Sequence, residues 1–140
     1  MRMSVDEARA RFAAARVARL ATITPDGHPH LVPIVFALDG DTLVFAVDRK
    51  PKTTTALRRL ANIAAHPAVA LLVDHYADDW SQLWWVRADG VARVAADVDA
   101  DADLDRLAAK YPAYVVERPP GPVVTVAISR WTGWRAPMSS

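Results

Sequence analysis

The strongest constraint on the fold is an apolar run at residues 31–38 that lies between two turn signals. Before it, Pro25-Asp26-Gly27 combines a proline that presets one dihedral angle with a glycine that permits a positive one. After it, Asp39-Gly40-Asp41 is typical of a hairpin. The strands predicted around these turns are residues 16–24, 28–38 and 42–47. Two consecutive hairpin signals predict an antiparallel meander.

The run at residues 31–38 is apolar on both faces of its strand, whereas a half-exposed strand alternates. A second surface must therefore cover the other face: another part of the protein, a subunit or a bound cofactor. Pro33 removes one donor from the ladder of hydrogen bonds, which predicts an edge strand or a local irregularity there.

The rest of the chain predicts three short helices and three further strands. The helices are residues 4–15, opened by a Ser4–Glu7 capping box, then 55–64 and 101–110; the strands are 68–74, 82–98 with a bend at Gly90, and 123–131. Residues 117–122 are expected to form a stiff connector. Six strands linked mostly by hairpins predict a mainly β fold, a small antiparallel barrel that forms one domain over residues 1–140.

Composition excludes several classes of protein. With 52% hydrophobic and 24% charged residues, the chain is expected to be globular rather than disordered. A net charge of +1 argues against nucleic-acid binding, and the absence of cysteine excludes disulfides and zinc–thiolate sites. Residues 31–38 fall far short of the roughly 20 residues that span a membrane. Because residues 1–11 also lack an apolar signal region, a cytoplasmic protein is expected.

A basic segment is the best local candidate for a binding site. Arg49, Lys50 and Lys52 stand directly before Thr53 and Thr54, where a helix is predicted to begin. The first turn of a helix offers unpaired amides and partial positive charge, so the segment suits a phosphate or another polyanion. The alternative is a solvated loop with ordinary surface cations.

Three of the five tryptophans, Trp80, Trp84 and Trp85, cluster near the start of the long fifth strand. Such rings either wall a site for a flat ligand or fill a core and a subunit interface. Because Trp84 and Trp85 are consecutive, they must point to opposite faces of the strand.

No metal site is expected. His28 and His30 share a strand face but lack acidic or cysteine partners at ligand spacing, and are interpreted as residues at the edge of a turn. The acidic run at residues 97–103 lacks the glycine and glutamate of a calcium loop and is interpreted as a helix start. Signatures of a serine hydrolase, a Walker loop and a Rossmann site are all absent.

Several segments, in this order and spacing, resemble the pyridoxamine 5'-phosphate oxidase-like split β-barrel family. They are Leu20-Ala21-Thr22-Ile23, Asp26-Gly27-x-Pro29, residues 32–36, Lys52-Thr53, Leu57-Arg58-Arg59, His66-Pro67, residues 70–73, Asp79-Trp80 and residues 86–92. The resemblance covers about residues 5–135. Residues 128–135 are most similar to the short deazaflavin-dependent branch, the coenzyme F420-dependent oxidoreductases.

This resemblance implies a split-barrel homodimer with two cofactor sites at the subunit interface. The cofactor is coenzyme F420, with FMN as the alternative. Lys52 and Thr53 match the phosphate-binding pair, with Arg49, Lys50 and Thr54 beside them; the backbone of Val32, Pro33 and Ile34 lines the ring system; Trp80 lies near the cofactor's tail.

The activity implied is hydride transfer from reduced F420 to an unsaturated small molecule, with the cofactor supplying the reaction and the protein holding the geometry. No side chain is assigned as catalytic. Two alternatives stay open: an FMN enzyme of the pyridoxamine 5'-phosphate oxidase type, and a non-catalytic binder of a flavin, a deazaflavin or a tetrapyrrole.

Overall fold

A computed structural model describes residues 1–47, 54–119 and 121–137, with the side chains of the second helix described from residue 58 onward. The helices in these ranges are α1 Val5–Ala14, α2 Thr54–Ala65, α3 Asp97–Lys110 and α4 Pro112–Val116. The strands are β1 Ala18–Ile23, β2 Pro29–Ile34, β3 Ala37–Asp39, β4 Thr42–Ala46, β5 Ala68–His75, β6 Trp84–Val94 and β7 Val123–Arg135. One 3₁₀ turn spans Trp80–Gln82.

The described strands form one antiparallel sheet in the order β2-β1-β5-β6-β7-β4-β3. Its two edge strands are consecutive in the chain, because β2 leads into β3 through Val35 and Phe36. The sheet therefore curls until its edges approach each other, and the mainly β barrel is confirmed. The strand predicted at residues 28–38 is divided into β2 and β3, which explains why seven strands are described where six were predicted.

Pro33 lies on β2, at the edge of the sheet, opposite Arg19 of β1. An edge strand tolerates the missing amide because that side of the strand has no ladder partner. The prediction of an edge strand at Pro33 is confirmed.

The core fills the inside of the curled sheet, and α1 closes one of its ends. Phe12 of α1 is fully buried, with its ring 5.0 Å from that of Phe36 and 5.4 Å from that of Trp131. The largest of the other fully buried side chains in this cluster are Leu20, Leu43, Phe45, Leu71 and Val86. A second cluster joins α3 to the outside of β4 through Leu107, Tyr111, Val44 and Val123. Helix α3 thus covers one outer region of the barrel.

The capping box at α1 is half formed. The Ser4 hydroxyl accepts a hydrogen bond from the Glu7 amide at 3.1 Å, as predicted. The Glu7 carboxylate does not reach back to the Ser4 amide, because it is held instead by Arg11 and Arg135.

Gly90 marks a bulge in β6, since the register between β6 and β7 shifts between Asp89 and Gly90. A Cβ atom on Gly90 would lie 2.5 Å from the carbonyl oxygen of Ala127. The predicted bend is therefore confirmed, and the close approach of β7 requires glycine there.

The predicted boundaries fail mainly after β6. Helix α3 begins at Asp97, not at residue 101, because Asp97 and Asp99 fall in its first turn, where negative charge suits the helix dipole. Helix α4 was not predicted; Pro112 occupies its first turn, where a missing amide costs nothing. Strand β7 runs on to Arg135, beyond the predicted end at residue 131.

Within the described ranges, each helix is too short or too polar to cross a membrane.

Candidate functional site

A concave surface of about 520 Å³ lies on the outer face of β1, β2, β5 and β6. We call it the outer groove. Its principal lining side chains are Arg19, Leu31, Leu72, Tyr76, Trp85 and Arg87. Side chains two residues apart on a strand share a face, so the strand register brings these residues together. Leu72 of β5 pairs with both Arg19 of β1 and Arg87 of β6, which makes one row across three strands.

The floor of the outer groove is apolar and open to solvent in the single chain. Leu31 is 67% exposed and Tyr76 is 64% exposed, while Leu72 lies between them in the same groove. Helix α3 packs on the other side of the barrel, so among the described elements it leaves this floor uncovered. This exposed apolar floor makes the outer groove a candidate interaction site.

Charged side chains border this floor. Arg87 forms an ion pair with Asp89 at 3.2 Å, and Asp74 lies at the end of β5. Arg19 has no ion-pair partner among the described residues. The groove therefore offers a flat apolar body a floor to pack on and leaves a guanidinium at the border for an anionic group.

The predicted ring-lining residues of β2 divide between two faces. Val32 and Ile34 face the core, where Ile34 is only 6% exposed, whereas Pro33 is exposed on the face that carries Arg19. The side chains of Val32 and Ile34 are thus used in packing, and only their backbone remains available to a ligand.

The predicted phosphate-binding residues Arg49, Lys50, Lys52 and Thr53 lie outside the described residues. Thr54 is the first residue of α2, and its side chain also lies outside them. The first turn of α2 contains no acidic residue, so no carboxylate there opposes an anion at the helix N-terminus.

Trp80 lies in the 3₁₀ turn and is 75% exposed. The turn is held by Asp79, whose carboxylate accepts hydrogen bonds from the hydroxyl of Ser81 at 2.6 Å and from its amide at 3.0 Å. These two bonds lower the pKa of Asp79. The turn thus leaves Trp80 exposed at the surface.

Trp84 and Trp85 point to opposite faces of β6, as predicted. Trp84 packs against the core cluster, whereas Trp85 lines the outer groove. Trp84 is therefore a core residue, and the choice between a ligand site and a subunit interface stays open for Trp85 alone.

A buried polar cluster beneath α2 was missed by the sequence analysis. The side-chain amide of Asn62 donates to the hydroxyl of Thr22 at 3.0 Å, and both residues are almost fully buried. The Asn62 Oδ1 and His30 Nδ1 atoms are buried without a hydrogen-bond partner among the described residues. An asparagine on the inner face of a short amphipathic helix was the available signal. No group of three or more metal-ligating side chains occurs in the described part of the chain.

Comparison with known proteins identifies the family. The family model described as pyridoxamine 5'-phosphate oxidase matches residues 4–135, which is nearly the whole chain. The chain belongs to the pyridoxamine 5'-phosphate oxidase family. The curled antiparallel sheet described above is thus the split barrel of this family. The resemblance to the family that the sequence indicated is confirmed.

Solved structures show the same fold over almost the whole length of this family member. A FAD-binding protein from Mesorhizobium loti aligns with a TM-score of 0.74 at 21% identity, covering 95% of each chain. The FAD binding protein from Mycobacterium smegmatis aligns with a TM-score of 0.68 at 24% identity, covering 97% of this chain and 98% of its own. A heme binding protein from Mycobacterium smegmatis aligns with a TM-score of 0.76 at 21% identity, covering 97% of this chain and 56% of its own. A search of curated proteins found no match.

Proposed function

We propose that this pyridoxamine 5'-phosphate oxidase family member is a homodimeric oxidoreductase. It uses reduced coenzyme F420, held at the seam between two barrels, to transfer hydride to an unsaturated small molecule. The observation that carries the proposal is the outer groove: an apolar, solvent-open floor beside edge strand β2, with a guanidinium at its border.

A second copy of the chain is the proposed cover for the outer groove. The Leu31 side chain is 67% exposed in the single chain. A partner subunit on the groove would bury this apolar strand residue. The border carries both signs of charge, with Arg19 and Arg87 against Asp74. A two-fold axis sets each patch against its own copy, so arginines of one chain can meet the aspartate of the other.

The cofactor's phosphate is assigned to the segment that precedes α2. Lys52 and Thr53 match the phosphate-binding pair of the family, and they stand next to the helix N-terminus, where amides and the dipole favour an anion. Helix α2 is fixed to β1 by the buried bond between Asn62 and Thr22. This bond fixes the C-terminal half of the helix relative to the sheet.

When bound, a reduced deazaflavin supplies a hydride to a conjugated acceptor. The chain's own contribution is orientation and exclusion of water. The backbone of β2 from Val32 to Ile34 runs beside the proposed ring position, and Pro33 leaves that edge without one amide donor. No described side chain is assigned as an acid or base.

A second candidate is binding of a flavin or a tetrapyrrole without F420 chemistry. It is favoured by the fold match to proteins from Mesorhizobium loti and Mycobacterium smegmatis that are described as FAD-binding, and to one described as heme binding. These proteins are less than 25% identical to this chain, so the match shows a shared fold alone. Their ligands are therefore candidates to be tested.

The first experiment measures the affinity of the purified protein for F420, FMN, FAD and heme in parallel. We expect F420 to bind most tightly. Lys52→Ala should weaken F420 binding by about 5- to 150-fold, because a charge-assisted phosphate contact contributes roughly 1–3 kcal/mol. The same variant should not alter the affinity for the phosphate-free deazariboflavin ring. Arg93→Ala, which removes an exposed cation from β6, is the matched control.

Tighter binding of FMN, FAD or heme than of F420 contradicts the F420 assignment and supports the second candidate. If F420 binds best, turnover of a panel of enones and quinones with the reduced cofactor separates an oxidoreductase from a carrier. Complete absence of turnover across the panel overturns the enzymatic part of the proposal.

The second experiment tests the dimer. We expect the wild-type chain to sediment as a dimer and Leu31→Glu to sediment as a monomer, because the variant buries a carboxylate in the proposed interface. Val98→Glu, on an α3 residue that is 88% exposed outside the groove, should leave the dimer intact. A monomeric wild type, or a Leu31→Glu variant that remains dimeric, rules out the outer groove as the interface.

A further inference from the structure

A second pocket, of about 370 Å³, lies between α1, the turn Trp80–Gln82 and the end of β7. It shares no lining residue with the outer groove. The side chains that matter for its chemistry are Glu7, Arg11, Gln82, Trp84 and Arg135. We call it the two-arginine pocket.

One carboxylate stands between the two guanidinium groups. Glu7 Oε2 accepts hydrogen bonds from Arg11 Nε at 3.2 Å and from Arg135 Nε at 3.0 Å. All three side chains are only partly exposed, with side-chain exposures between 26% and 36%. Two guanidinium groups therefore share one carboxylate at a partly desolvated site, and the three side chains together carry a net charge of +1.

Both arginines are held in position before any ligand arrives. The Arg11 guanidinium lies over the ring of Trp84, 5.2 Å from its centroid, and Trp84 stacks in turn on His75 at 6.4 Å. The Arg135 guanidinium is held by its bond to Glu7, and the Arg135 backbone is bonded to Met1 in both directions, at 2.9 Å and 2.6 Å. Side chains fixed in this way lose little further conformational entropy when they bind.

The terminal nitrogens of each arginine, which do not bond to Glu7, decide what the pocket can bind. Both arginines contact Glu7 through Nε. The terminal nitrogens of Arg11 make no hydrogen bond to the described residues, and those of Arg135 make only a 3.8 Å contact from Nη1 to the sulfur of Met1. A guanidinium offers its end-on pair of N–H groups as a fork that fits a planar carboxylate.

From this geometry we infer that the two-arginine pocket binds a small organic carboxylate. The ligand's carboxylate is held by the free ends of Arg11 and Arg135, and its remainder lies along Trp84 and the turn. The volume of about 370 Å³ is near the lower end of small-molecule sites, which favours a compact acid. The side-chain amide of Gln82 at the border supplies a further donor, whereas the Ser81 hydroxyl is already committed to Asp79. The pocket shares no lining residue with the outer groove, although the turn that borders it also carries Trp80.

The test is a titration of ¹⁵N-labelled protein with glutarate, followed through the indole N–H signal of Trp84 at constant ionic strength set with chloride. We expect a saturable shift of that signal. Arg11→Gln and Arg135→Gln should each weaken binding at least tenfold. Glu7→Gln should strengthen binding several-fold, because it removes the carboxylate that competes for both guanidiniums. Arg130→Gln, an exposed arginine on the same strand as Arg135, is the control and should change the affinity less than twofold.

Arg135→Lys covers the case in which Arg135→Gln fails to fold, since it keeps the charge but loses the fork and should still weaken binding. The inference is overturned if glutarate gives no saturable shift beyond that of chloride. It is also overturned if Arg130→Gln weakens binding as much as Arg135→Gln, which reports net charge alone. Equal or tighter binding of inorganic phosphate with the same shifts contradicts the assignment of the ligand as a carboxylate.

Discussion

The hydroxyl of Tyr111 is bonded to the backbone of Phe36, 75 positions earlier in the chain. It accepts a hydrogen bond from the Phe36 amide at 3.1 Å and lies 2.9 Å from the Phe36 carbonyl oxygen, with the Arg16 carbonyl at 3.0 Å as the other acceptor. Phe36 belongs to the two-residue link between β2 and β3, where the sheet ladder supplies no partner. Tyr111 thus satisfies the backbone at the place where the barrel is split.

Tyr111→Phe should lower the free energy of unfolding by about 1–3 kcal/mol, because it leaves a buried amide and carbonyl of Phe36 without their partner. Chemical denaturation measures this change. Thr42→Val, which removes a hydroxyl from an exposed residue of β4 outside the groove, should change stability by less than about 0.5 kcal/mol. Equal effects of the two substitutions would show that the Tyr111 hydroxyl does not support the link.

The same contact explains how far the sequence could predict the fold. The apolar run at residues 31–38 and its flanking turns are local signals, and they correctly gave the hairpins and the edge strand at Pro33. At the division of that run, the Phe36 backbone is bonded to Tyr111, a contact between distant residues that no local pattern predicts. Helix α4 was missed for a related reason, since Pro112 ends one helix and also begins the next.

In the candidate site too, features set by local pattern were predicted and features set by distant strands were not. Opposite orientations of Trp84 and Trp85 follow from strand alternation alone and were correctly predicted. The row formed by Arg19, Leu72 and Arg87 needs the register of three strands that are distant in sequence, so it could not be predicted. The assignments to Lys52, Thr53 and their neighbours stay predictions, because those residues lie outside the described part of the chain.

The buried bond between Asn62 and Thr22 should appear as a coupling energy. In a double-mutant cycle of Thr22→Val and Asn62→Ala, we expect the two changes to be non-additive by about 1 kcal/mol, the net contribution of a hydrogen bond between neutral groups. Equilibrium denaturation of the four proteins gives this number. Additivity within about 0.3 kcal/mol would mean that helix α2 is anchored by packing alone.

Stability should rise with pH in the window where Lys110 loses its proton. Burial, and then the positive charge of Arg16, lower the pKa of Lys110 from 10.5 to about 8; its ammonium lies 3.8 Å from the Phe36 ring centre and donates to the Ala13 carbonyl. Between these two values the unfolded chain binds more protons than the folded one, so the free energy of unfolding increases with pH. Because the group is partly open to solvent, we expect a gain of about 1 kcal/mol.

The measurement compares wild type with Lys110→Met from about pH 7.5 to about pH 9.5. Wild type should gain stability relative to the variant across this range. Burial raises the pKa of Tyr111. A tyrosine with a raised pKa in the folded state makes stability fall with pH above about 10, so the measurement stops below that pH. A constant difference between the two proteins would show that Lys110 titrates normally.

Two glycines should respond differently to the same substitution. Gly90→Ala places a Cβ atom 2.5 Å from the backbone oxygen of Ala127, so β7 must move and the bulge must open. Gly27 has a φ of 91° but nothing within 4 Å of its Cβ position, so Gly27→Ala carries only the conformational cost of roughly 1–2 kcal/mol. We expect Gly90→Ala to cost at least about 2 kcal/mol more than Gly27→Ala in thermal or chemical denaturation. Because the Gly90 variant acts on the pairing of β6 with β7, hydrogen exchange should also quicken at Ala127, which pairs with Val91 of β6. It should stay unchanged at Ile128, whose amide donates to the Asp41 carbonyl, and in β1. A Gly90→Ala protein as stable as Gly27→Ala would mean that the barrel adjusts at this point without loss of strand pairing.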